Sequence, residues 1–445
     1  MKIDIAGVIL PPGASLSRLK GYWGRLFRKI PIISVQKMDD IEKRQAYVMM
    51  AVPREEYEAV QGYLVGIGVA GNIIVILWIF VMMYGKNRST IMSNILITTL
   101  HFYNNFGSVL QAYALKTILE KKGNRVTIMP YRPCIPQYKY FQTENLNIKY
   151  AERIQKFDLF RIKYLEIKNE TKATAEEWQE YDGYIVGSDI VWGKEFSNLD
   201  PVYFLQFAPE SSIKIAYAAS TILSENGLTE NDELFSKYLP TFDAIAVREK
   251  SAVKKMQSFV SGKVVDVLDP TLLLAKEEYT LLEVETPDMY KKPYILSYFL
   301  THDPAVVDYT NMIAEKLGLR VIHYFADYPD RVFDTDAGCF AFAGPGEFLG
   351  YIKNAQYVFT NSFHGTCFSM IYRKAFSTYT AKRAMISRVK DMVENLGMEA
   401  QCFENFRDLS KISMKIDYTQ FEKKLKEKQL ESIAFLEGAL KRENV

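Results

Sequence analysis

Short apolar runs alternate with amphipathic stretches from Asn94 onward, a pattern typical of strands and helices in an α/β protein. Because these runs are rich in β-branched and aromatic residues, they predict buried strands. The strands of the first series are Ile95–Leu100, Val126–Met129, Tyr184–Val186, Ile213–Ala218, Asp243–Val247 and Val264–Leu268. Helical spacing over Val109–Lys122 predicts a helix between the first two strands, ended by Gly123.

A second alternating series follows the charged, proline-containing segment Glu277–Lys292, which we interpret as a linker. Its predicted strands are Tyr294–Phe299, Arg320–Phe325 and Tyr357–Thr360, and its predicted helices are Pro304–Leu317, Gly346–Asn354, Thr366–Tyr372 and Ile386–Leu396. Tyr418–Lys441 predicts a charged amphipathic helix that packs back over one lobe. Two such series predict an α/β fold with two Rossmann-like, doubly wound lobes facing a cleft.

We therefore expect an N-terminal lobe at residues 92–285, a C-terminal lobe at 286–415 and a C-terminal helix at 416–445. An extra N-terminal segment at 1–91 precedes them. Its stretch Leu64–Gly85 has 22 residues and no charge, which is long enough to span a membrane. A membrane anchor and the tail of a partial Rossmann-type unit are both open interpretations. Gly66–Gly71 matches the dinucleotide pattern GxGxxG by letter, but follows a helix pattern instead of a strand.

The composition narrows the class of protein. With 48% hydrophobic and 24% charged residues, the chain can bury a sizeable core, and a net charge of +2 argues against a nucleic-acid partner. The four cysteines are far apart and form no CxxC pair, which argues against a zinc site or a disulfide scaffold. No secretory signal pattern opens the chain, so we expect a cytoplasmic protein.

Polar and charged side chains follow the predicted strands at the edge where open α/β sheets bind ligands. One of them is His364, one of only four histidines, and imidazole can act as an acid or a base near neutral pH. The other candidate site residues are Asn105, Gly107, Ser108, Ser188, Asp189, Arg248, Asn361, Ser362 and Arg388. The helix N-termini after Gly107 and Thr366 are expected to offer free N–H groups to an anion. Ordinary caps and surface ion pairs are the alternative interpretation.

Several sequence stretches carry a family resemblance. In order, they are NNFGSVLQAYAL (Asn104–Leu115), MPYRP (Met129–Pro133), YIVGSDIVW (Tyr184–Trp192), IKIAYAAS (Ile213–Ser220), AIAVREKSAV (Ala244–Val253), VLDPTLLL (Val267–Leu274), NSFHGTCFSMI (Asn361–Ile371) and ISRVKDMVENLG (Ile386–Gly397). Together they resemble the polysaccharide pyruvyl transferase family over about two thirds of the chain. Met1–Ile91 lies outside the resemblance, and Gly193 stands where the family often has asparagine.

The resemblance implies a fold like that of GT-B glycosyltransferases. It also implies transfer of the pyruvyl group of phosphoenolpyruvate to a carbohydrate or lipid-linked sugar, with formation of a ketal and release of phosphate. No cofactor is expected. His364 matches the family histidine and is the candidate acid. Arg248 and Arg388 would neutralise the donor, and Asn361 and Ser362 would orient the imidazole or the donor.

Asn105 and Ser108 would face the acceptor or the donor across the cleft. A function in surface-polysaccharide assembly also fits a location at the cytoplasmic side of a membrane, either peripheral or anchored. Two other functions remain open at this point. One is a glycosyltransferase that uses a nucleotide sugar on the same two-lobed plan. The other is a protein of a surface-polysaccharide pathway without catalytic activity.

Overall fold

The computed structural model describes residues 8–10, 32–34, 93–133, 144–168, 178–221, 231–301, 303–326, 342–379, 384–403 and 412–442. The chain divides into two compact units, Met1–Thr90 and Ile91–Val445. In the first unit, strands β1 (Val8–Leu10) and β2 (Ile32–Ser34) pair in parallel. Leu64–Gly85, with its alternative interpretations, lies outside the described residues. No helix among the residues given above is long and apolar enough to cross a membrane.

The N-terminal lobe of the second unit is built on six parallel strands, ordered β4-β3-β5-β6-β7-β8. They are β3 (Asn94–Thr98), β4 (Arg125–Ile128), β5 (Gly183–Val186), β6 (Ile213–Ala219), β7 (Ala244–Val247) and β8 (Val264–Asp266). The central strands β3, β5 and β6 are buried over almost their whole length. This explains their continuous apolar sequences, because helices cover both faces of a parallel sheet.

Helices and helical turns connect these strands. The described helices of this lobe are α1 (Phe106–Lys121), α2 (Glu144–Phe160), α3 (Lys194–Ser197), α4 (Asp232–Tyr238), α5 (Lys250–Gln257) and α6 (Lys276–Thr280). α1 begins three residues before the predicted start, because the side chain of Asn105 caps it. At its other end, Gly123 adopts a φ of +88° just after the C-cap, which glycine tolerates.

The C-terminal lobe has a second parallel sheet with the order β10-β9-β11-β12-β13. Its strands are β9 (Tyr294–Phe299), β10 (Arg320–Phe325), β11 (Tyr357–Thr360), β12 (Ala375–Tyr379) and β13 (Cys402–Phe403). Its described helices are α7 (Pro304–Leu317), α8 (Pro345–Asn354), α9 (Phe363–Ile371) and α10 (Ala384–Asn395). The two parallel sheets with alternating helices confirm the predicted two-lobed α/β class, although β12 and β13 were not predicted.

The last helix, α11 (Thr419–Leu440), contacts both lobes, where the sequence predicted packing over one. Near its start, the hydroxyl of Tyr418 donates a 2.6 Å hydrogen bond to the carbonyl of Lys374 in the C-terminal lobe. Farther along, Ser432 Oγ accepts a 3.0 Å hydrogen bond from the N–H of Leu268 in the N-terminal lobe. This helix therefore ties the two lobes together.

Aromatic packing also holds the start of α1 against the C-terminal lobe. The ring of Phe106 stacks on that of Phe348, with centroids 4.4 Å apart and planes 9° apart. Its edge contacts Tyr298 at a centroid distance of 6.1 Å. Such aromatic pairs stabilise a contact beyond the area that they bury. The N-terminus of α1 is thereby placed beside the N-terminus of α9.

Candidate functional site

The described residues of the two lobes meet at an imidazole and a carboxylate. His364 lies in the first turn of α9, in the C-terminal lobe, and its side chain is buried. Its Nε2 atom lies 3.4 Å from Oδ2 of Asp269, which follows β8 in the N-terminal lobe. The other ring nitrogen, Nδ1, packs against Gly107, where a Cβ would come within 2.0 Å of it. The imidazole from one lobe is therefore enclosed by two residues of the other.

Asp269 is an ionised carboxylate held by several donors. Its Oδ2 accepts hydrogen bonds from Ser188 Oγ at 3.0 Å and from Arg248 Nη1 at 3.2 Å, and its Oδ1 accepts from the N–H of Thr271 at 3.0 Å. Burial alone would raise the pKa of Asp269. The charge of His364, followed by that of Arg248 and the hydrogen bond from Thr271, lowers its pKa below the ordinary value.

Arg248 lies among three carboxylates instead of facing open solvent. Its Nε is 3.0 Å from Glu249 Oε1, and its Nη1 is 3.2 Å from Asp269 and 3.6 Å from Asp189. The guanidinium also lies over the ring of Phe363, 4.1 Å from the ring centre. Burial by itself would lower the pKa of Arg248, whereas these carboxylates raise it. The main partners of Arg248 are thus internal.

A second charged group from the C-terminal lobe reaches the same region. Arg388 of α10 is buried, and its Nη1 lies 3.4 Å from Ser220 Oγ at the end of β6. Ser220 Oγ in turn donates a 2.7 Å hydrogen bond to Glu249 Oε1. Burial and the nearby charge of Arg248 lower the pKa of Arg388 to about 10. The protonated form of Arg388 is thus less strongly favoured than in water, and an anion placed beside it would favour that form.

The turn after β5 and the start of α1 form the remaining part of the network. Ser108 Oγ donates a 2.8 Å hydrogen bond to Asp189 Oδ2, and the backbone N–H of Ser188 donates to Gln111 Oε1 at 3.1 Å. Gln111 also donates to the carbonyl of Ser108 at 2.8 Å. These bonds connect Asp189, and through it Arg248, to the first turns of α1.

Both helix N-termini at the site are capped by their own side chains. The N–H groups of Gly107 and Ser108 donate to Asn105 Oδ1 at 2.9 and 3.4 Å. In α9, the N–H of Gly365 donates to Ser362 Oγ at 3.2 Å, and that of Thr366 to the Ser362 carbonyl at 2.9 Å. These four N–H groups are therefore already bonded and are not the free donors predicted for an anion. Capping is the reason both helices start where they do.

Asn361 was predicted to orient the imidazole or the donor. In the structure, Ser362 alone is the N-cap of α9. The Asn361 side chain instead accepts a 2.8 Å hydrogen bond from the N–H of Leu300, just beyond β9. Asn361 therefore joins the ends of two neighbouring strands and supports the turn that carries His364.

Sequence reasoning missed Asp269, Glu249 and Gln111, among other polar residues that the structure places in the network. Asp269 and Glu249 follow predicted strands, as the predicted residues do, and lie in the VLDPTLLL and AIAVREKSAV stretches. That position was a usable signal for both. Gln111 lies inside the first helix, where a polar residue is usually solvent-exposed, although its side chain is fully buried. Its role could be read only from the packed structure.

Comparison with known families identifies the family of the chain. The polysaccharide pyruvyl transferase family model matches residues 105–379, which include both His364 and Asp269. Since this match covers more than half of the chain, the protein belongs to the polysaccharide pyruvyl transferase family. The predicted family resemblance is confirmed. This family is a family of transferases, which fixes the general class of the protein. No curated protein matches the chain.

Several solved structures have a similar arrangement. An uncharacterised protein from Klebsiella pneumoniae is 13% identical, with a TM-score of 0.37, and the match covers 67% of this chain and 88% of that chain. A UDP-forming trehalose-phosphate synthase from Burkholderia xenovorans is 11% identical with a TM-score of 0.42, covering 78% and 98%. An O-GlcNAc transferase from Thermobaculum terrenum is 10% identical with a TM-score of 0.40, covering 79% and 67%. Because these TM-scores are low, the fold assignment rests on the two sheets themselves.

Proposed function

We propose that this protein transfers the pyruvyl group of phosphoenolpyruvate to a sugar of a cell-surface polysaccharide, forming a ketal and releasing phosphate. The observation that carries the proposal is the pairing of His364 with Asp269 across the two lobes. Attack by a sugar hydroxyl on the enol carbon requires that the neighbouring methylene carbon be protonated. A positioned acid is therefore needed, and imidazole is the side chain best suited to that task near neutral pH.

The position of Asp269 supports this role for His364. Oδ2 of Asp269 lies 3.4 Å from Nε2 and restricts the ring on this side. The contact with Gly107 restricts the ring from the opposite side. Such restriction matters, because a displaced catalytic group loses much of its effect on rate. The pair is thus suited to hold and deliver one proton at the boundary between the lobes.

The donor carries phosphate and carboxylate charges that must be balanced inside a buried site. Arg388 is the described cation best suited to this purpose, because burial and Arg248 disfavour its charge and a bound anion would reverse that effect. Arg248 already contacts three carboxylates. We therefore assign donor binding chiefly to Arg388, and assign to Arg248 the task of keeping the carboxylates in place.

The proposal is tested by incubating the protein with phosphoenolpyruvate and a panel of p-nitrophenyl hexosides and N-acetylhexosaminides. We expect consumption of phosphoenolpyruvate with an equal amount of phosphate released, and a turnover lowered by about 100-fold or more in His364→Ala. Parallel reactions contain UDP-sugars in place of phosphoenolpyruvate. Release of UDP without consumption of phosphoenolpyruvate would contradict the proposal in favour of a glycosyltransferase. A His364→Ala variant with the wild-type rate would contradict the role of the imidazole.

A further inference from the structure

One buried carboxylate oxygen in the site has no task in the chemistry above. Glu249 is 2% exposed and immediately precedes α5, at the sheet edge where the other site residues lie. Its Oε1 accepts from Arg248 Nε at 3.0 Å and from Ser220 Oγ at 2.7 Å. Its Oε2 is buried and makes no hydrogen bond to any described residue.

A buried carboxylate oxygen without a hydrogen-bond donor destabilises the folded protein. A buried acceptor without a donor costs about 1–3 kcal/mol, and more when it is charged. A buried polar group without a partner calls for an explanation, and a role in catalysis is one such explanation. The two donors on Oε1 fix the carboxylate and leave Oε2 as the atom able to accept a proton or a hydrogen bond. Glu249 therefore has the form of a positioned base.

Its surroundings also place it in the site. Ser220, which donates to Glu249, lies 3.4 Å from Arg388 of the opposite lobe. On its other side, Glu249 contacts Arg248, which contacts Asp269, and Asp269 lies beside His364. Glu249 and His364 thus lie at opposite ends of one chain of contacts, with Arg248 and Asp269 between them. A reaction that needs both an acid and a base finds both groups here.

We propose that Glu249 is the general base that accepts the proton of the attacking sugar hydroxyl, an inference that rests on the pyruvyl transfer proposed above. The His364 imidazolium gives its proton to the methylene carbon of phosphoenolpyruvate, whose double-bond electrons form the new C–H bond. The hydroxyl oxygen bonds to the neighbouring carbon, and its proton moves to Glu249 Oε2. This gives a tetrahedral intermediate that still carries phosphate.

The second half of the reaction restores both groups. Phosphate leaves with the electron pair of its C–O bond and takes the proton held by Glu249. The second sugar hydroxyl bonds to the same carbon, and its proton returns to His364. One molecule each of phosphoenolpyruvate and diol thus gives one ketal and one phosphate, with both side chains returned to their starting protonation states.

The test compares Glu249→Gln and Glu249→Ala in the full chain. Glutamine keeps an oxygen for Arg248 and Ser220 but is not basic, so we expect turnover, measured as phosphate released, to fall by about 100-fold or more. The dissociation constant for phosphoenolpyruvate, measured by calorimetry, should stay near the wild-type value. Added formate should raise the turnover of Glu249→Ala, because a small carboxylate can occupy the space left by the side chain. Exposed Glu277 provides the control variant Glu277→Gln, expected to match the wild type.

Each other outcome overturns the assignment. A wild-type rate in Glu249→Gln would show that no base is needed at this position. Weakened phosphoenolpyruvate binding in Glu249→Ala, without rescue by formate, would show that Glu249 only supports Arg248. If the wild-type protein did not consume phosphoenolpyruvate, the proposed function itself would be wrong. That failure is separate, because it is seen before any variant is compared.

Discussion

Arg248 joins more of the site's charged groups than any other described residue. It lies within 3.6 Å of Asp189, Asp269 and Glu249, and all four side chains are buried or nearly so. Removing one member of a buried group of ion pairs leaves the charges of its partners uncompensated, and this strongly destabilises the fold. The arginine therefore offsets part of the negative charge of the site before any substrate binds.

We predict that Arg248→Ala lowers the free energy of unfolding by about 3–5 kcal/mol, because it leaves three carboxylates without their counter-charge. Urea unfolding followed by circular dichroism measures this change. The exposed Arg125 provides the control, and Arg125→Ala should change stability by no more than about 0.5 kcal/mol. If Arg248→Ala had the stability of the wild type and lost only donor binding, Arg248 would instead neutralise the donor, as predicted from the sequence.

Asp269 gives the site a defined dependence on pH. Its folded-state pKa lies below the ordinary value of about 3.9, so it stabilises the fold above that pH and loses this effect as the pH falls. We predict that wild type is more stable than Asp269→Asn at neutral pH, and that the difference shrinks as the pH is lowered below about 4. Urea unfolding across this range measures the difference. A difference that grows with acidification would contradict the account.

The site depends on the close approach of two helix N-termini. α1 brings Gly107 against the imidazole that α9 carries, and only glycine leaves room there, since a Cβ would lie 2.0 Å from Nδ1. Alanine is otherwise favourable within a helix. Glycine is thus required at this position by the His364 side chain of the neighbouring lobe, and not by the backbone conformation of α1.

We predict that Gly107→Ala keeps the helix content of the protein but lowers turnover by about 100-fold, because it displaces His364. Circular dichroism and phosphate release measure the two effects. Gly262 offers a matched control, since a Cβ there would meet nothing within 4 Å. Gly262→Ala should retain the wild-type rate. Equal activity in both variants would mean that the imidazole can move without consequence.

Elements with strong local signals were predicted accurately. β9, β10, β11 and α7 have the predicted bounds, because β-branched and aromatic runs or a proline at the helix start mark their ends. β12 (Ala375–Tyr379) was missed, since it is short and begins only a few residues after α9. What makes it a strand is pairing with its neighbours in the sheet, which no local pattern reveals.

The same limit applies to the site. The sequence placed His364, Arg388 and Ser188 at strand exits, and the structure brings them to one region. The sequence could not show that Arg248 would be surrounded by carboxylates. Nor could it show that the side chains of Asn105 and Ser362 would accept hydrogen bonds from N–H groups of their own helices. These outcomes depend on which partners packing brings within hydrogen-bond distance. Residue type alone does not decide them.

The two lobes of the second unit close directly on the site. His364, Phe363 and Arg388 of the C-terminal lobe contact Asp269, Arg248 and Ser220 of the N-terminal lobe. The crevice beside Arg248 and Asp269 holds only about 20 Å³. That is room for a single water molecule, so we expect the lobes to separate when a substrate enters. Donor binding should therefore require residues of both lobes.

A calorimetric titration of phosphoenolpyruvate into the full chain and into Arg388→Ala tests whether this protein binds the proposed donor. We predict saturable binding to the wild type and a dissociation constant raised by at least about tenfold in the variant, because a buried anion loses its counter-charge. Arg125→Ala, again the control, should bind as the wild type does. A wild-type protein that binds a nucleotide sugar saturably and gives no heat with phosphoenolpyruvate would contradict the proposed pyruvyl transfer.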